Sequence, residues 1–407
     1  MSQDPGAAGA PPTDPAPTPA RSLAPDLARG FMLLFIALVN AQFFLVGPDP
    51  VRSFGDQAVA VVQLTLVNTR AIPLFAFLFG YGTVQIMRRV RTGGGGWIHA
   101  RRLLRRRGWV MLAIGAAHGA LLLPVDIVGA YGLALLLFVG LTRARDAVLL
   151  WTAGLLAAGS VTLNTTLTVL LAGAGGETSI AAPSLTEGDF WTASAERVQE
   201  WLLHTPYTML TVAMPIIALG IWAAHRRILE EPAAHRTLLV RAAVLGLGVA
   251  AAAGLPNALV YAELMPAGSA WTEALLGLLH DDTSWFGGLG WAALFALLAA
   301  RWEGRRGATG SDVPYGPVVR AVAAVGQRSL TCYLAQSVVF TLVFAPYGAG
   351  LGTSLGFAGA ASVAVATWLA TVVLAEALRR SGRRGPAEAV LRRLTYAGSA
   401  HTPSPSS

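Results

Sequence analysis

Several polar side chains stand out because their surroundings are apolar: Asn40, Arg70, His118, Asp126 and Arg328, with Asp26 and Arg29 opening the first apolar run. An ionisable group near the centre of a bilayer costs about 2.5–3.5 kcal/mol, so a chain that keeps such groups there uses them. His118 lies in Gly115-Ala-Ala-His118-Gly119, where small residues let another helix approach closely. A neutral imidazole in an apolar site, oriented by a carboxylate such as Asp126, is the usual design of a general base. Asn40 or Arg70 would stabilise a developing oxyanion. Arg29 and Arg328, with Asp26, are candidates for holding a phosphorylated donor, because the guanidinium fork bonds phosphate bidentately. Tyr333 and Gln336 are candidate substrate contacts deeper in the same interior. Each group also has a structural reading: His118 as a tie between helices, Arg29 and Arg70 as partners of Asp26 and Asp126.

These residues need helices to place them. Of the 407 residues 54% are hydrophobic and only 13% charged, against about 25% charged in a soluble protein. Apolar runs predict an all-α integral membrane protein, a bundle of about ten spans near 27–46, 70–87, 108–124, 126–141, 147–172, 206–224, 238–261, 284–300, 320–346 and 354–378. They form one polytopic membrane domain over 21–398. The Pro- and Ala-rich segment 1–20 and the tail 399–407 are expected to be disordered. Residues 1–20 lack a basic n-region, so the first span reads as an uncleaved anchor.

Arginine placement sets the topology. With alternating spans and a cytoplasmic N-terminus, only Arg52 and Arg197 fall outside, and Arg29, Arg70 and Arg328 fall within spans. Every other arginine falls inside, as the positive-inside rule requires. Both termini are then cytoplasmic, and the expected location is a bacterial cytoplasmic membrane. At about 1.5 Å per residue, Asn40 and His118 both lie roughly 9 Å below the outer surface. Arg70 and Asp126 sit at outer span ends, and Arg328 lies in the inner third of the ninth span. An outer polar pocket above a basic inner mouth follows. The apolar stretches 56–68 and 268–280 are too short to span and read as interfacial or re-entrant. The outer segment 173–205, with Trp191, Val198 and Trp201 among acids, reads as an interfacial helix or as a lid over the outer mouth.

Composition excludes several functions. The net charge of +8 belongs to inner loops, where it meets membrane lipids, and no nucleic-acid partner is expected. None of the 30 basic residues is lysine, which removes a Walker lysine, a Schiff base and any lysine nucleophile. The single cysteine, Cys332, allows neither a disulfide framework nor a cysteine-based zinc site, and no metal is expected. Gly93–Gly96 lacks the Gly-Lys-Ser/Thr of a phosphate-binding loop. Gly246-x-Gly248 and Gly288-x-Gly290 lie inside spans with no strand before them, so helix packing accounts for them. The arginine-rich loop 88–107 is a topology determinant and lipid anchor that could also hold a phosphorylated cytoplasmic donor.

Several blocks carry a resemblance. Leu23-Ala-Pro-Asp26-Leu-Ala-Arg29-Gly30-Phe followed by Val39-Asn40 resembles the opening of the YeiB-like membrane proteins, a family of unknown function. Pro73-Leu-Phe-Ala-Phe-Leu-Phe-Gly80-Tyr81-Gly82 agrees, as do His118 to Gly132, Val325 to Ser337 and Gly385 to Tyr396. The match runs in order from about 20 to 398, with 145–320 matched only by its span pattern. The resemblance implies kinship with multi-pass acyltransferases that include heparan-alpha-glucosaminide N-acetyltransferase. In that enzyme a histidine closely follows the Val-Asn pair. Here Asn40 is followed by Ala-Gln-Phe-Phe-Leu-Val-Gly, leaving His118 as the candidate base.

The leading expectation is a membrane O- or N-acyltransferase that moves an acyl group from cytoplasmic acyl-CoA to a glycan, lipid or secreted metabolite. No permanently bound cofactor is expected, and acyl-CoA would be a donor substrate. The alternative is a small-molecule transporter or exporter using the same polar interior.

Overall fold

The computed structural model describes residues 23–47, 49–173, 182–309 and 315–397; the terminal segments expected to be disordered, and Glu177 of the outer loop, lie outside them. The described residues form helices joined by turns, with no strand among them. In chain order these are α1 (Leu23–Phe43), α2 (Phe54–Leu66), α3 (Ala71–Thr92), α4 (Trp97–Leu121), α5 (Ile127–Phe138) and α6 (Asp146–Gly173). Then come α7 (Phe190–Thr208), α8 (Met214–His225), α9 (Arg236–Tyr261), α10 (Ala270–Asp282) and α11 (Ser284–Thr309). The chain closes with α12 (Pro317–Gln327), α13 (Ser329–Phe344), α14 (Phe357–Arg380) and α15 (Pro386–Tyr396).

Among the described residues, seven helical stretches are long and apolar enough to cross a membrane. Their burial separates centre from periphery. In α1, 72% of the apolar window is buried, whereas in α6 only 6% is, and Leu150, Trp151, Leu155, Leu163 and Leu170 face outward. A helix apolar all round yet unburied by protein needs a lipid solvent. The chain is a multi-pass helical membrane protein. Seven of the ten expected spans coincide with these stretches. The third, fourth and ninth do not: α4 begins among arginines, α5 has 12 residues, and the ninth run breaks into α12 and α13 at Arg328.

The centre is held by close helix crossings. Gly30 of α1 meets the Val322 carbonyl of α12, and Gly326 of α12 meets the Asp26 carbonyl of α1, so any side chain at either would collide with backbone. Gly246 of α9 likewise packs on Gly290 of α11, so helix packing accounts for these two glycines.

The two short apolar stretches are helices joined directly to spans. α2 is capped by Ser53, whose Oγ accepts from the Asp56 amide at 3.1 Å. It meets α3 through a turn in which Thr69 adopts φ 61°, and α10 meets α11 at Thr283. The expected outer segment contains α7. α7 continues through a π-helical turn, Met209–Ala213, into α8 as a 36-residue rod from Phe190 to His225. At 1.5 Å per residue that rod is about 54 Å long, beyond the ~30 Å of hydrocarbon, so α7 is an extension of the following span that stands outside it.

Candidate functional site

Three helices bring the candidate catalytic groups together. α4 ends near His118, the turn at Pro124 reverses the chain, and α5 starts at Asp126. Asp126 is the N-cap of α5 and accepts from the amides of Val128 at 3.2 Å and Gly129 at 2.5 Å. The cap fixes the carboxylate facing α4. Gly115, one turn before His118, permits this: a Cβ there would strike the Asp126 carboxylate and Gly129.

Nδ1 of His118 lies 3.1 Å from Oδ1 of Asp126, with both side chains fully buried. The approach is off the N–H axis, so it is an electrostatic contact rather than a well-formed hydrogen bond. On the other side of the ring, Nε2 lies 2.8 Å from the Ser337 hydroxyl of α13. The imidazole also rests on the Tyr333 ring, with centroids 4.8 Å apart. Tyr333, Gln336 and Ser337 are spaced i, i+3, i+4 and share one face of α13. The Tyr333 hydroxyl points towards Asp126 without a directed bond, and both polar atoms of the fully buried Gln336 amide have no protein partner.

Of the other expected site residues, Asn40 is buried on α1. Arg70, fully buried at the start of α3, donates to the carbonyls of Asn68 and Ala250 at 2.7 Å each and to Thr69 Oγ1 at 2.8 Å, and reaches Nδ1 of His280 at 2.9 Å. It thereby ties the α2–α3 corner to α9 and to α10, rather than pairing with Asp126.

At the predicted inner end Asp26 and Arg29 are 3.6 Å apart, and Gln327 donates to Asp26 at 3.0 Å. Arg328 donates to the Ala324 carbonyl at 3.3 Å and the Arg383 carbonyl at 2.7 Å. The start of α13 is capped from another helix. Glu388 of α15 accepts from the amides of Leu330 at 2.8 Å and Thr331 at 3.1 Å and from the Thr331 hydroxyl at 2.5 Å. Thr331 returns the favour by accepting from the Ala387 amide at 3.1 Å. Two cavities open at this end. One, of about 400 Å³, is lined by Arg89, Gly93–Gly95, His99 and Tyr396; the other, of about 160 Å³, by Asp26, Arg320, Gln327 and Arg379. Next to them, Glu230 in the α8–α9 loop receives Gln85 at 3.1 Å, Arg88 at 3.1 Å and Arg227 at 3.0 Å. Burial alone would raise its carboxyl, but these bonds and the Arg88 charge outweigh burial and hold it below its ordinary range.

Three residues were not among the candidate site residues read from the sequence. Ser337 is an ordinary serine in an apolar helix, marked only by its position four residues after Tyr333. Arg197, the outer arginine, is 1% exposed and clamps α7, donating to the Ala120 carbonyl at 3.1 Å and the Tyr347 hydroxyl at 2.6 Å. Trp201, one turn on, presses its indole against Gly119 and Gly129 and so covers the His118–Asp126 turn.

Comparison with known proteins finds two matches. Residues 223–398 match the family described as protein of unknown function (DUF418). The chain is also similar to the uncharacterised protein YxaH of Bacillus subtilis (strain 168), at 24% identity, over 91% of this chain and 93% of YxaH. Both matches are consistent with the YeiB-like resemblance.

Proposed function

We propose that this DUF418-type membrane protein is an acyltransferase of a bacterial cytoplasmic membrane, with about ten spans and both termini inside. The observation that carries the reading is His118 held between a carboxylate and a hydroxyl in a water-excluded site. Asp126 favours the tautomer with the proton on Nδ1, leaving the Nε2 lone pair free to take a proton. Unpaired buried groups on the same face of α13, the Gln336 amide and the Tyr333 hydroxyl, suit a polar substrate centre, since each left unmet costs about 1–3 kcal/mol. The donor would be an acyl-CoA. Its phosphates suit the larger inner cavity, where Arg89 and His99 border the glycine loop, with Arg29 and Arg328 as further candidate contacts. The acceptor is a hydroxyl or amine of a glycan, lipid or secreted metabolite.

The test is acyl-CoA binding and thioester cleavage by detergent-purified protein, comparing wild type with His118→Ala. Saturable binding in both, with cleavage lost in the variant, is expected. Failure to bind any acyl-CoA ends this reading. One observation favours a second reading, an exporter: Arg70 is a fully buried charge bonded to His280, outside the proposed catalytic chain. In that case Arg70→Ala would abolish substrate flux and His118→Ala would spare it. Topology is checked separately in a Cys332→Ala background. Gly94→Cys should react with an impermeant maleimide only from the cytoplasmic side, and Gly188→Cys only from outside.

A further inference from the structure

We infer that Ser337 is a nucleophile and that acyl transfer proceeds through an ester on its Oγ. This rests on the acyltransferase reading above and deepens it. Asp126, His118 and Ser337 come from α5, α4 and α13, and meet in the order carboxylate, imidazole, hydroxyl. The contacts are 3.1 Å at Nδ1 and 2.8 Å at Nε2. That is the arrangement in which a base activates a serine while a carboxylate holds the base in its productive tautomer.

Two features argue against a mere tie between helices. A serine in a helix satisfies its hydroxyl on the carbonyl four residues back, and Ser337 reaches that carbonyl, of Tyr333, at 3.3 Å. The His118 contact is shorter by half an ångström and dominates the hydroxyl. A tie would also be complete with one bond. Here the neighbouring Gln336 amide is buried with neither atom paired, and the Tyr333 hydroxyl one turn away leans on Asp126 without a well-formed bond. A tetrahedral oxyanion beside Ser337 would find its hydrogen-bond donors in these groups.

The steps balance without another reactant. Ser337 Oγ attacks the thioester carbonyl and its proton passes to His118 Nε2. The C–S bond breaks, the thiolate takes the proton from His118, and the acyl ester remains on Ser337. An acceptor hydroxyl or amine then attacks the ester and yields its proton to His118. The C–Oγ bond breaks, and Ser337 recovers a proton from His118. Trp201 and α7 cover the outer side of this site, keeping water from competing for the ester.

The experiment treats the full-length protein in detergent with a membrane-permeant alkyl fluorophosphonate, whose adduct on an activated serine is irreversible. Peptide mapping then locates the label, and acyl-CoA cleavage is measured in parallel on the same preparation. The expected result is label on Ser337 in wild type, none there in His118→Ala, and retained label in Gln336→Ala at a rate reduced about 10- to 1000-fold. Wild type without label on Ser337 overturns the nucleophile. If acyl-CoA is still cleaved, His118 acts directly on the acceptor and the acyltransferase reading stands. If neither label nor cleavage occurs, both fall. Label on Ser337 that persists undiminished in His118→Ala also overturns the proposal, because the imidazole would then activate nothing.

Discussion

Gly115→Ala is the most searching perturbation of the site, because it removes no functional group. The new Cβ would sit 2.5 Å from the Gly129 Cα, whereas ordinary contact begins near 3.4 Å. It also meets the Asp126 carboxylate and the Gly129 amide, both parts of the α5 cap. Neither neighbour is the far end of a flexible chain, so α5 must retreat by about 1 Å, since packed interiors have no free space to absorb the methyl. His118 Nδ1 and Asp126 Oδ1 would then separate from 3.1 Å to about 4 Å, beyond any useful contact. Overpacking of this kind destabilises by about 1–3 kcal/mol. The assay pairs two readouts: unfolding of the detergent-solubilised protein and thioester cleavage against pH. A stability loss in that range is expected, with a fall in cleavage of about 100-fold, the lower end for losing a positioned base. A variant as stable as wild type with an unchanged pH profile would refute the packing argument and the dependence of His118 on Asp126 together.

Three other outcomes follow from the structure. Glu388→Ala strips the cap from α13 and leaves two amides and a hydroxyl unmet, costing about 2–4 kcal/mol with the Leu330 and Thr331 amides losing exchange protection; continued protection of those amides would count against the cap. Glu230 has a lowered folded-state pKa, so its stabilisation is present above the ordinary glutamate value near 4.5 and is lost as pH falls through the lower folded value. Glu230→Gln should therefore flatten the acid limb of a stability–pH curve while leaving its shape above pH 6 unchanged. Cys332 is 1% exposed, so a maleimide should label it only after unfolding, and rapid labelling of the native protein would contradict its packing against α14.

The sequence determined the class, the seven longest spans and the candidate base. Hydrocarbon penalises every unpaired polar group, so span positions are written in apolar run length, and an ionisable residue such as His118 inside a run is conspicuous. Arginine placement argues for a topology for the same reason, since charges partition to the loops. Short-range signals were legible as well: Asp126 after Pro124 marks a helix start, and Gly115 marks a close crossing. What stayed hidden were contacts between residues far apart in the chain. Ser337 looks like any serine that satisfies itself on its own helix, and only the packing of α13 against α4 brings it to His118. Arg70 at an outer span end looked available to Asp126, but folding carries it to His280, since the α2–α3 corner packs on α9 and α10. Trp201 read as part of an interfacial helix or a lid, and only the packing of α7 brings its indole to Gly119 and Gly129. Local sequence fixes which groups are forced to find partners in a membrane; which partner each one finds depends on helix packing, whose free energy is summed over many distant contacts and is written in no single segment.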